Sequence, residues 1–229
     1  TRFLPRQRDS RKNGGQSGYL RPEYVERQNN ADVIVQNSDP RIQRFSGYNQ
    51  TNFLQKIRFK PGKNWDFQYS FTYAGTGYAP RYDRLIQYRN GALRFAEWNY
   101  GPMLWRMHNL QVMHSKKTSI YDDARFTIAY QDYEESRIDR ARNNNNRQRQ
   151  TEKVDAISAN WDSTKGIGKG QLFYGLEYVH NKVGSFGETT NISTNVVTTT
   201  VSRYPNGSTW NTMGVYGSYK INIKPKLTL

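Results

Sequence analysis

Hydrophobic and polar residues alternate along much of the chain, and this alternation predicts β-strands. In WDFQYSFTYAG (65–75), every second residue from Trp65 to Tyr73 is aromatic, and the residues between them are polar. The preceding FLQKIRFK (53–60) alternates in the same way, and PGKN (61–64) has the composition of a tight turn. Because successive side chains of a strand point to opposite faces, the pattern predicts a hairpin with one apolar and one polar face.

The period of two recurs further along the chain. It is clear in ARFTIAYQDY (124–133), QLFYGLEY (171–178) and MGVYGSYKI (213–221). Two more segments, MHNLQVMH (107–114) and VDAISANW (154–161), resemble strands, but their pattern does not decide which residues share a face. Helical periodicity is nearly absent, and about seven or eight strands of roughly a dozen residues are expected.

The connections between these strands alternate between short and long. Besides PGKN, the short ones are SKKTSIYDD (115–123) and STKGIGKG (163–170), whereas the long ones cover about residues 76–102, 136–151 and 183–210. Short turns at one rim and long loops at the other are typical of outer-membrane barrels, whose strands need about 9–11 residues to cross. The predicted fold is therefore all-β: an antiparallel transmembrane β-barrel segment with short periplasmic turns and long extracellular loops.

The composition fits a barrel wall, although a soluble β-sandwich or β-barrel with a buried core remains the alternative. Only 35% of the 229 residues are hydrophobic and 14% are aromatic, and the mean hydropathy is −0.96. A strand with one lipid-facing and one polar face has this character, because half of its residues are polar and aromatic rings collect at the two interfaces. No segment reaches the roughly 18 consecutive apolar residues of a transmembrane helix.

The net charge of +15 indicates an anionic partner, such as acidic lipid, lipopolysaccharide or nucleic acid. The positive charges are scattered among loops and strand faces, so a nucleic-acid partner is not expected, although a basic soluble β protein that binds nucleic acid stays open as an alternative. The chain has no cysteine, which excludes disulfides and thiolate metal sites. No catalytic triad or carboxylate pair in a cleft is visible, so the chain is not expected to be an enzyme.

The predicted strands divide the chain into two regions. Residues 1–46 are expected to be an extracellular loop region with a possible short strand at DVIVQ (32–36), and residues 47–229 an interior part of the barrel. Bacterial single-chain barrels usually have an even number of strands. An odd count of seven therefore suggests a piece of a longer protein.

Two stretches resemble the barrel of TonB-dependent outer-membrane receptors, in the branch of haem, haemoglobin and transferrin receptors. They are GYNQTNFLQKIRFKPGKNWDFQYSFTYAGTG (47–77) and GTGYAPRYDRLIQYRNGALRFAEWNYGP (75–102). The second contains an R-Y-D-R-L element at residues 81–85 and an element similar to A-E-W-Y-Y-G-P at residues 96–102, in which Asn99 departs from the usual aromatic.

The resemblance implies a 22-stranded barrel filled by an N-terminal plug, and import of an iron complex (haem or a siderophore-like solute) driven by the TonB complex. The expected partners are the lipid bilayer and lipopolysaccharide, the iron complex, and the TonB complex through an N-terminal region. No cofactor is expected beyond haem or a ferric complex as the transported ligand, and no resident metal. The chain shows no TonB box, plug or closing strand, and a porin or glycan importer remains an alternative.

The long loop at residues 76–102 is the first candidate site. Arginine pairs with carboxylates and aromatic rings stack, so the combination suits a planar anionic ligand; the alternative is that these side chains hold the loop together. The candidate ligand-binding residues are Arg81, Tyr82, Asp83, Arg84, Arg94, Glu97, Trp98 and Tyr100.

Two weaker candidates lie elsewhere. The run at residues 137–153 is rich in arginine around Asn143–Asn146, which suggests either a patch that binds phosphate of lipopolysaccharide or a solvated loop tip. Among the three histidines, His180 is the best candidate for a haem ligand, because it is predicted to lie near the extracellular rim.

Overall fold

The structure is a computed structural model that describes residues 20–224 and 227–228. The fold is all-β and antiparallel, as predicted. In chain order, the elements are β1 (Glu23–Gln28), β2 (Ala31–Gln36), β3 (Gln50–Phe59), β4 (Trp65–Thr76), β5 (Ala79–Pro80), α1 (Tyr82–Leu85), β6 (Tyr88–Arg89), β7 (Ala92–Leu93), β8 (Phe95–Tyr100), β9 (Met103–Ser115), β10 (Asp123–Ala141), β11 (Asn146–Ile167), β12 (Gly170–Asn191), β13 (Val197–Thr200), β14 (Ser208–Lys224) and β15 (Leu227–Thr228).

One large sheet dominates the described part of the chain. Its strands pair in the order β3-β4-β9-β10-β11-β12-β14-β15, and β8 extends it by pairing with the end of β10. Within residues 20–224 and 227–228 the two ends of this sheet do not pair with each other, so no closed barrel is formed there. In the same part of the chain, no helix has the length and apolar character needed to span a membrane.

Seven of the described strands have ten or more residues, which agrees with the predicted number. Three of them are much longer than the expected dozen: β10 has 19 residues, and β11 and β12 have 22 each. The predicted loop at 136–151 is therefore wrong, because β10 and β11 continue as a hairpin around a four-residue turn at 142–145. The predicted loop at 183–210 is likewise shortened, since β12 runs to Asn191 and pairs with β13.

The extra strand length has a physical reason that hydropathy does not reveal. Along the end of β10, every second residue is buried, and these residues are Ser136, Ile138 and Arg140. A strand whose buried positions are serine, isoleucine and arginine has no continuous apolar stripe. It forms because other segments of the chain cover these side chains and pair with them.

The two ends of the sheet differ as predicted. One end, called here the turn end, has the connections 60–64, 116–122 and 168–169. The opposite end, called the loop end, has the long connections 77–102 and 192–207 and the tip 142–145. Gly168 in the tightest turn has φ +57°, a conformation in which glycine carries no steric penalty.

One face of the sheet carries a continuous apolar band. Residues directly opposite each other in antiparallel strands point to the same face, and the register aligns apolar side chains across all seven long strands. The members of this apolar band are Phe53, Ile57, Phe59, Trp65, Phe67, Tyr69, Phe71, Tyr73, Leu110, Val112, Phe126, Ile128, Tyr130, Ile157, Ala159, Trp161, Leu172, Tyr174, Leu176, Tyr178, Met213, Val215 and Tyr219.

Most of the apolar band is exposed, and its members on β4 other than Trp65 are half-buried. Ile128 is 39% exposed, Phe126 44%, Ile57 54% and Val215 76%. The few buried apolar side chains of the described residues are found mostly at the loop end, among them Tyr24, Leu93, Phe95 and Ile138. The middle of the sheet is thus not the core of a layered domain.

The opposite face, called the polar face, is hydrophilic at the same depth. Its central row crosses six strands, and the residues of that row are Arg58, Gln68, Gln111, Thr127, Asn160 and Glu177. The register also decides the two undecided strands, because Leu110 and Val112 of β9 and Ile157 and Trp161 of β11 lie in the apolar band.

A charged row ends the apolar band on the side of the loop end. Arg106, Asp132, Asp155 and Lys182 lie directly opposite one another on four neighbouring strands. Arg106 pairs with Asp132, and the Tyr130 hydroxyl donates to Asp155 at 2.8 Å. Beyond this row, β10 to β12 project away from the band.

The hairpin of β1 and β2 is a separate two-stranded sheet. The predicted short strand at DVIVQ is confirmed as part of β2, whereas β1 was not predicted. Residues 1–19 of the predicted 1–46 region lie outside the described residues. The hairpin is fixed to the loop end through Asp32, which contacts the end of β10.

Candidate functional site at the loop end

The first candidate loop folds back onto the sheet as a series of short elements. The Gly77 N–H donates to the Asn49 carbonyl at 3.1 Å, and the Arg81 N–H donates to the Trp98 carbonyl at 2.9 Å. Asn90 and Gly91 have φ +53° and +76°, so they form the kind of Asn-Gly turn that joins two strands tightly, here β6 and β7. Pairing of β8 with β10 then fixes the end of the loop to the main sheet.

This pairing decides which candidate residues come together. Trp98 lies opposite Asp139, and Tyr100 lies opposite Arg137, so these side chains share the polar face. Glu97 lies opposite Arg140 on the other face. The loop therefore contributes to two different clusters, one on each side of the sheet.

The first cluster is built around Arg81. Its guanidinium donates to both carboxylate oxygens of Asp83, at 2.9 and 2.8 Å, and to the Tyr100 hydroxyl at 3.2 Å. It also lies over the rings of Trp98 at 4.9 Å and Tyr100 at 5.6 Å. Hydrogen bonding to Asp83 raises the pKa of Arg81, so this cation stays charged. Arg81 thus stacks on aromatic rings and already has a carboxylate partner. This agrees with the alternative that these side chains hold the loop together.

A second arginine joins the cluster from β10. Arg137 lies over the Tyr100 ring at 5.6 Å and contacts Glu135 at 3.4 Å. Tyr133 donates to the other oxygen of Glu135 at 2.9 Å. Glu135 was not predicted as a site residue, and Arg137 was predicted only as part of the basic run at 137–153, because its place beside Tyr100 follows from strand register.

The remaining candidate residues of the loop lie apart from these rings. The Arg84 Nε lies 3.9 Å from Asp83. Tyr82 lies under the guanidinium of Arg21 at 5.7 Å, and burial raises the pKa of its hydroxyl. Arg94 lies over its neighbour Phe95 at 4.6 Å.

The second cluster is a buried ion-pair network. Two guanidinium nitrogens of Arg140 donate to Asp32 at 2.7 and 2.9 Å, and its Nε donates to Glu97 at 2.8 Å. The Arg140 side chain is 3% exposed and that of Asp32 is 0% exposed. The Asn143 N–H also donates to Asp32 at 2.7 Å. Glu97, a predicted ligand residue, is thus part of the joint that holds the β1–β2 hairpin.

The pKa of Asp32 reflects this network. Burial acts to raise it, but hydrogen bonds from Arg140 and from the Asn143 N–H, together with the charge of Arg140, bring it below the ordinary value of 3.8. The carboxylate is therefore ionised at neutral pH. A buried charge of this kind is tolerated only because its partners are in place.

A cavity of about 410 Å³ lies between the hairpin and the loop. This volume falls in the range of about 300–1,000 Å³ that small-molecule sites occupy. The lining includes Arg21, Arg27, Phe45, Leu85 and Trp98. Arg21 is 2% exposed, and its Nε has no acceptor among the described residues. Glu26 and Glu97 also line the cavity, so the anionic edge of a planar ligand would fit only beside the aromatic rings and the buried arginine donor.

Most of the basic run at 137–153 lies in two paired strands, and only residues 142–145 form a tip. Its residues have different partners: Arg142 donates to the Leu93 carbonyl, Arg149 lies near Glu188, and Lys153 pairs with Glu134. The loop-tip interpretation therefore holds for residues 142–145 alone, and binding of lipopolysaccharide phosphate stays a prediction.

His180 lies away from both clusters. It is aligned with Ile157 and with Asn211, so it belongs to the face of the apolar band, near the charged row. Its Nδ1 is 2.7 Å from the Asn211 Oδ1. Across residues 20–224 and 227–228, no group of three or more histidine, aspartate or glutamate side chains is arranged to hold a metal ion.

No family model matches the chain, and no curated protein is similar enough to it to count as a relative.

Proposed function

We propose that this chain forms part of the wall of an outer-membrane β-barrel of the TonB-dependent receptor type, and that it takes part in binding and importing an iron complex. The observation that carries the membrane placement is the apolar band. It is continuous across seven strands, mostly exposed, and backed by a hydrophilic face. An exposed apolar surface of this extent marks a site that contacts lipid or protein.

The height of the band supports a bilayer more than a protein partner. From Trp65 to Tyr73 it covers eight residue steps, or about 27 Å along the strand at about 3.4 Å per residue. With the roughly 40° tilt of barrel strands this is about 20 Å, close to the apolar band of about 25 Å found on outer-membrane barrels. The charged row then lies at the level where lipid head groups begin.

The free strand edges also fit a larger barrel. In the described part of the chain, β3 pairs only with β4. Backbone groups at such an edge have no water to bind inside a bilayer, so they need a neighbouring strand. The proposed barrel supplies that strand, and the polar face then lines its interior.

The proposed ligand region is the loop end. The ring cluster around Arg81 faces the interior, and the cavity between hairpin and loop offers the unpartnered Arg21 Nε. The iron complex itself is inferred from the resemblance of the loop to haem and transferrin receptors. Because Asp83 and Glu97 occupy their arginines, the cavity is a better candidate for direct contact than the loop residues themselves.

Pairs of single-cysteine variants test the membrane placement, because the chain has no cysteine of its own. Spin labels at Leu110→Cys and Ile128→Cys, in the protein reconstituted in lipid vesicles, should collide with dissolved oxygen and be protected from a water-soluble nickel complex. The matched neighbours Gln111→Cys and Thr127→Cys should show the reverse. Equal accessibility within each pair would overturn the proposal.

Ligand binding is tested separately by titrating the reconstituted protein with haem and with ferric siderophores. Arg21→Gln should weaken binding, whereas Lys60→Gln at the turn end should not. If neither ligand binds while the labelling pattern holds, the barrel stands and the iron complex is the wrong solute.

A further inference from the structure

Glu152 lies on the polar face of β11, beyond the charged row, and is almost completely buried. It is 5% exposed, and neither of its carboxylate oxygens has a hydrogen-bond donor among the described residues. A buried carboxylate without partners is costly when it is ionised. The surroundings of Glu152 therefore decide what it binds.

The nearest carboxylate makes ionisation worse. Glu135 lies directly opposite Glu152 in the β10–β11 pair, a position in which like charges repel. Glu135 has donors of its own, Tyr133 at 2.9 Å and Arg137 at 3.4 Å. The pair is thus unequal, with one carboxylate supplied with donors and the other without.

The hydrogen-bonding groups around Glu152 have an excess of acceptors. Three buried acceptor atoms lack a donor, namely both oxygens of Glu152 and the Oε1 of Gln150, two residues away on the same face. One buried donor, the Nε of Arg137, lacks an acceptor, and Arg137 lies directly opposite Gln150. A proton on Glu152 turns one of these acceptors into a donor, which leaves two unpaired donors and two unpaired acceptors.

A short stretch at residues 201–206, here named the cover segment, lies over this site. The Gln150 side-chain amide donates to the Val201 carbonyl at 3.1 Å. Ser185, directly opposite Glu152 on β12, donates its N–H to the Asn206 Oδ1 and accepts from the Tyr204 N–H, both at 3.1 Å. The segment is therefore held by the residues that flank Glu152.

We propose that Glu152 is a proton-binding site whose occupancy controls the cover segment: the carboxyl holds a proton while the segment covers it, and loss of that proton releases the segment. Burial is the main reason that the pKa of Glu152 lies above its ordinary 4.5, and the negative charge of Glu135 adds to it, whereas Arg203 and Arg137 oppose it. The titratable side chains that act on Glu152 from β10 and the cover segment are thus Glu135, Arg137 and Arg203.

The direction of the pH effect follows from linkage. The covered state has the higher pKa, so closure is favoured below the ordinary pKa of the exposed carboxyl and is lost as the pH rises through the raised value. Since one proton is involved, the opening equilibrium should rise by at most about tenfold per pH unit. This behaviour does not depend on the membrane placement.

Two measurements on the whole chain test the proposal. The Glu152 carboxyl is titrated by NMR, with its resonance assigned by loss in Glu152→Gln, and amide hydrogen exchange of residues 201–206 is followed against pH after correction for intrinsic exchange. In the wild type, the corrected exchange rate should increase as the pH rises from the ordinary carboxyl value to the raised pKa of Glu152, and should level off above it. In Glu152→Gln, a neutral isostere, exchange should stay slow and independent of pH.

Two further variants separate protonation from a merely structural role. Glu135→Gln removes the opposing charge and should lower the pKa of Glu152, so that the increase in opening is smaller and levels off at a lower pH. At Gly187 a Cβ would lie 2.4 Å from the Val201 carbonyl, so Gly187→Ala should displace the segment and lower the measured pKa of Glu152. The control Glu188→Gln, at an exposed glutamate of β12, should behave like the wild type.

The outcomes are decisive in both directions. A carboxyl that titrates at or below 4.5 in the wild type overturns the proposal, and so does a pH profile shared by the wild type and Glu152→Gln. A response to Glu188→Gln equal to that of Glu152→Gln would also overturn it, because the effect would then be one of net charge.

Discussion

Placing a charge at Ile128 should distinguish lipid from water as the neighbour of the apolar band. Ile128 lies four residues from Ala124, at the turn end of β10, and four from Asp132 of the charged row. Each interval is about 13 Å along the strand, or about 10 Å of depth at a tilt of roughly 40°. Ile128 is thus near the middle of the band.

The expected cost of Ile128→Arg depends strongly on that setting. At the bilayer midplane, arginine on the lipid face of a barrel costs about 2–4 kcal/mol. If the band instead faced water, a side chain that is 39% exposed would change stability by about 0.5 kcal/mol or less. The adjacent Thr127→Arg, on the polar face, serves as the matched control and should be nearly neutral in both settings.

The assay is reversible folding into lipid vesicles, titrated with denaturant, for the wild type and the two variants. The free energy of unfolding should fall by about 2–4 kcal/mol for Ile128→Arg. The reasoning is refuted if both variants lose the same amount, or if Thr127→Arg is the more harmful of the two.

Three other changes have defined outcomes. Asp32→Asn should destabilise docking of the β1–β2 hairpin by about 2–3 kcal/mol, as measured by hydrogen exchange of β2. This cost is somewhat less than is usual for breaking a buried ion pair, because Arg140 keeps Glu97 as a second carboxylate partner. Because the pKa of Asp32 is lowered in the fold, the same protection should be present above about pH 4 and be lost as the pH falls through the folded-state value. Gly175→Ala should lower the free energy of unfolding by about 1–3 kcal/mol in the same denaturant titration, since its Cβ would lie 2.3 Å from a carbonyl of the neighbouring strand. In the control Gly214→Ala the Cβ meets nothing within 4 Å, so this variant should be neutral. Trp98→Ala should weaken haem binding about 5- to 30-fold in a fluorescence titration, and equal weakening by Trp210→Ala, at a 70% exposed side chain, would contradict a specific role.

The strands of the sheet could be predicted because their pattern is local. Alternation from Trp65 to Tyr73 already separates the two faces, and the short turns follow from PGKN and its counterparts. The two ambiguous strands needed register, since Met107 and Met113 are apolar residues on the polar face of β9.

The clusters at the loop end could be predicted only in part. Arginine and aromatic residues of one loop suggested mutual pairing, and Arg81 does pair with Asp83, whereas Glu97 pairs with Arg140 of β10. Arg140 contacts Glu97 and Asp32, which are 43 and 108 positions away from it in the chain. No local sequence pattern reports such a contact. Glu152 was missed for a related reason, because its burial depends on the return of the cover segment.

If the chain lies in an outer membrane, the long hairpins of β10 to β12 would extend well beyond the lipid head groups. From Lys153, just beyond the charged row, β11 continues for seven residue steps to Asn146, or about 23 Å. In the proposed orientation, the tip at 142–145 therefore stands clear of the head groups, at the height of the surface sugars. Antibodies and phages would then meet the tip before any lipid, so this part of the described chain would be open to immune selection.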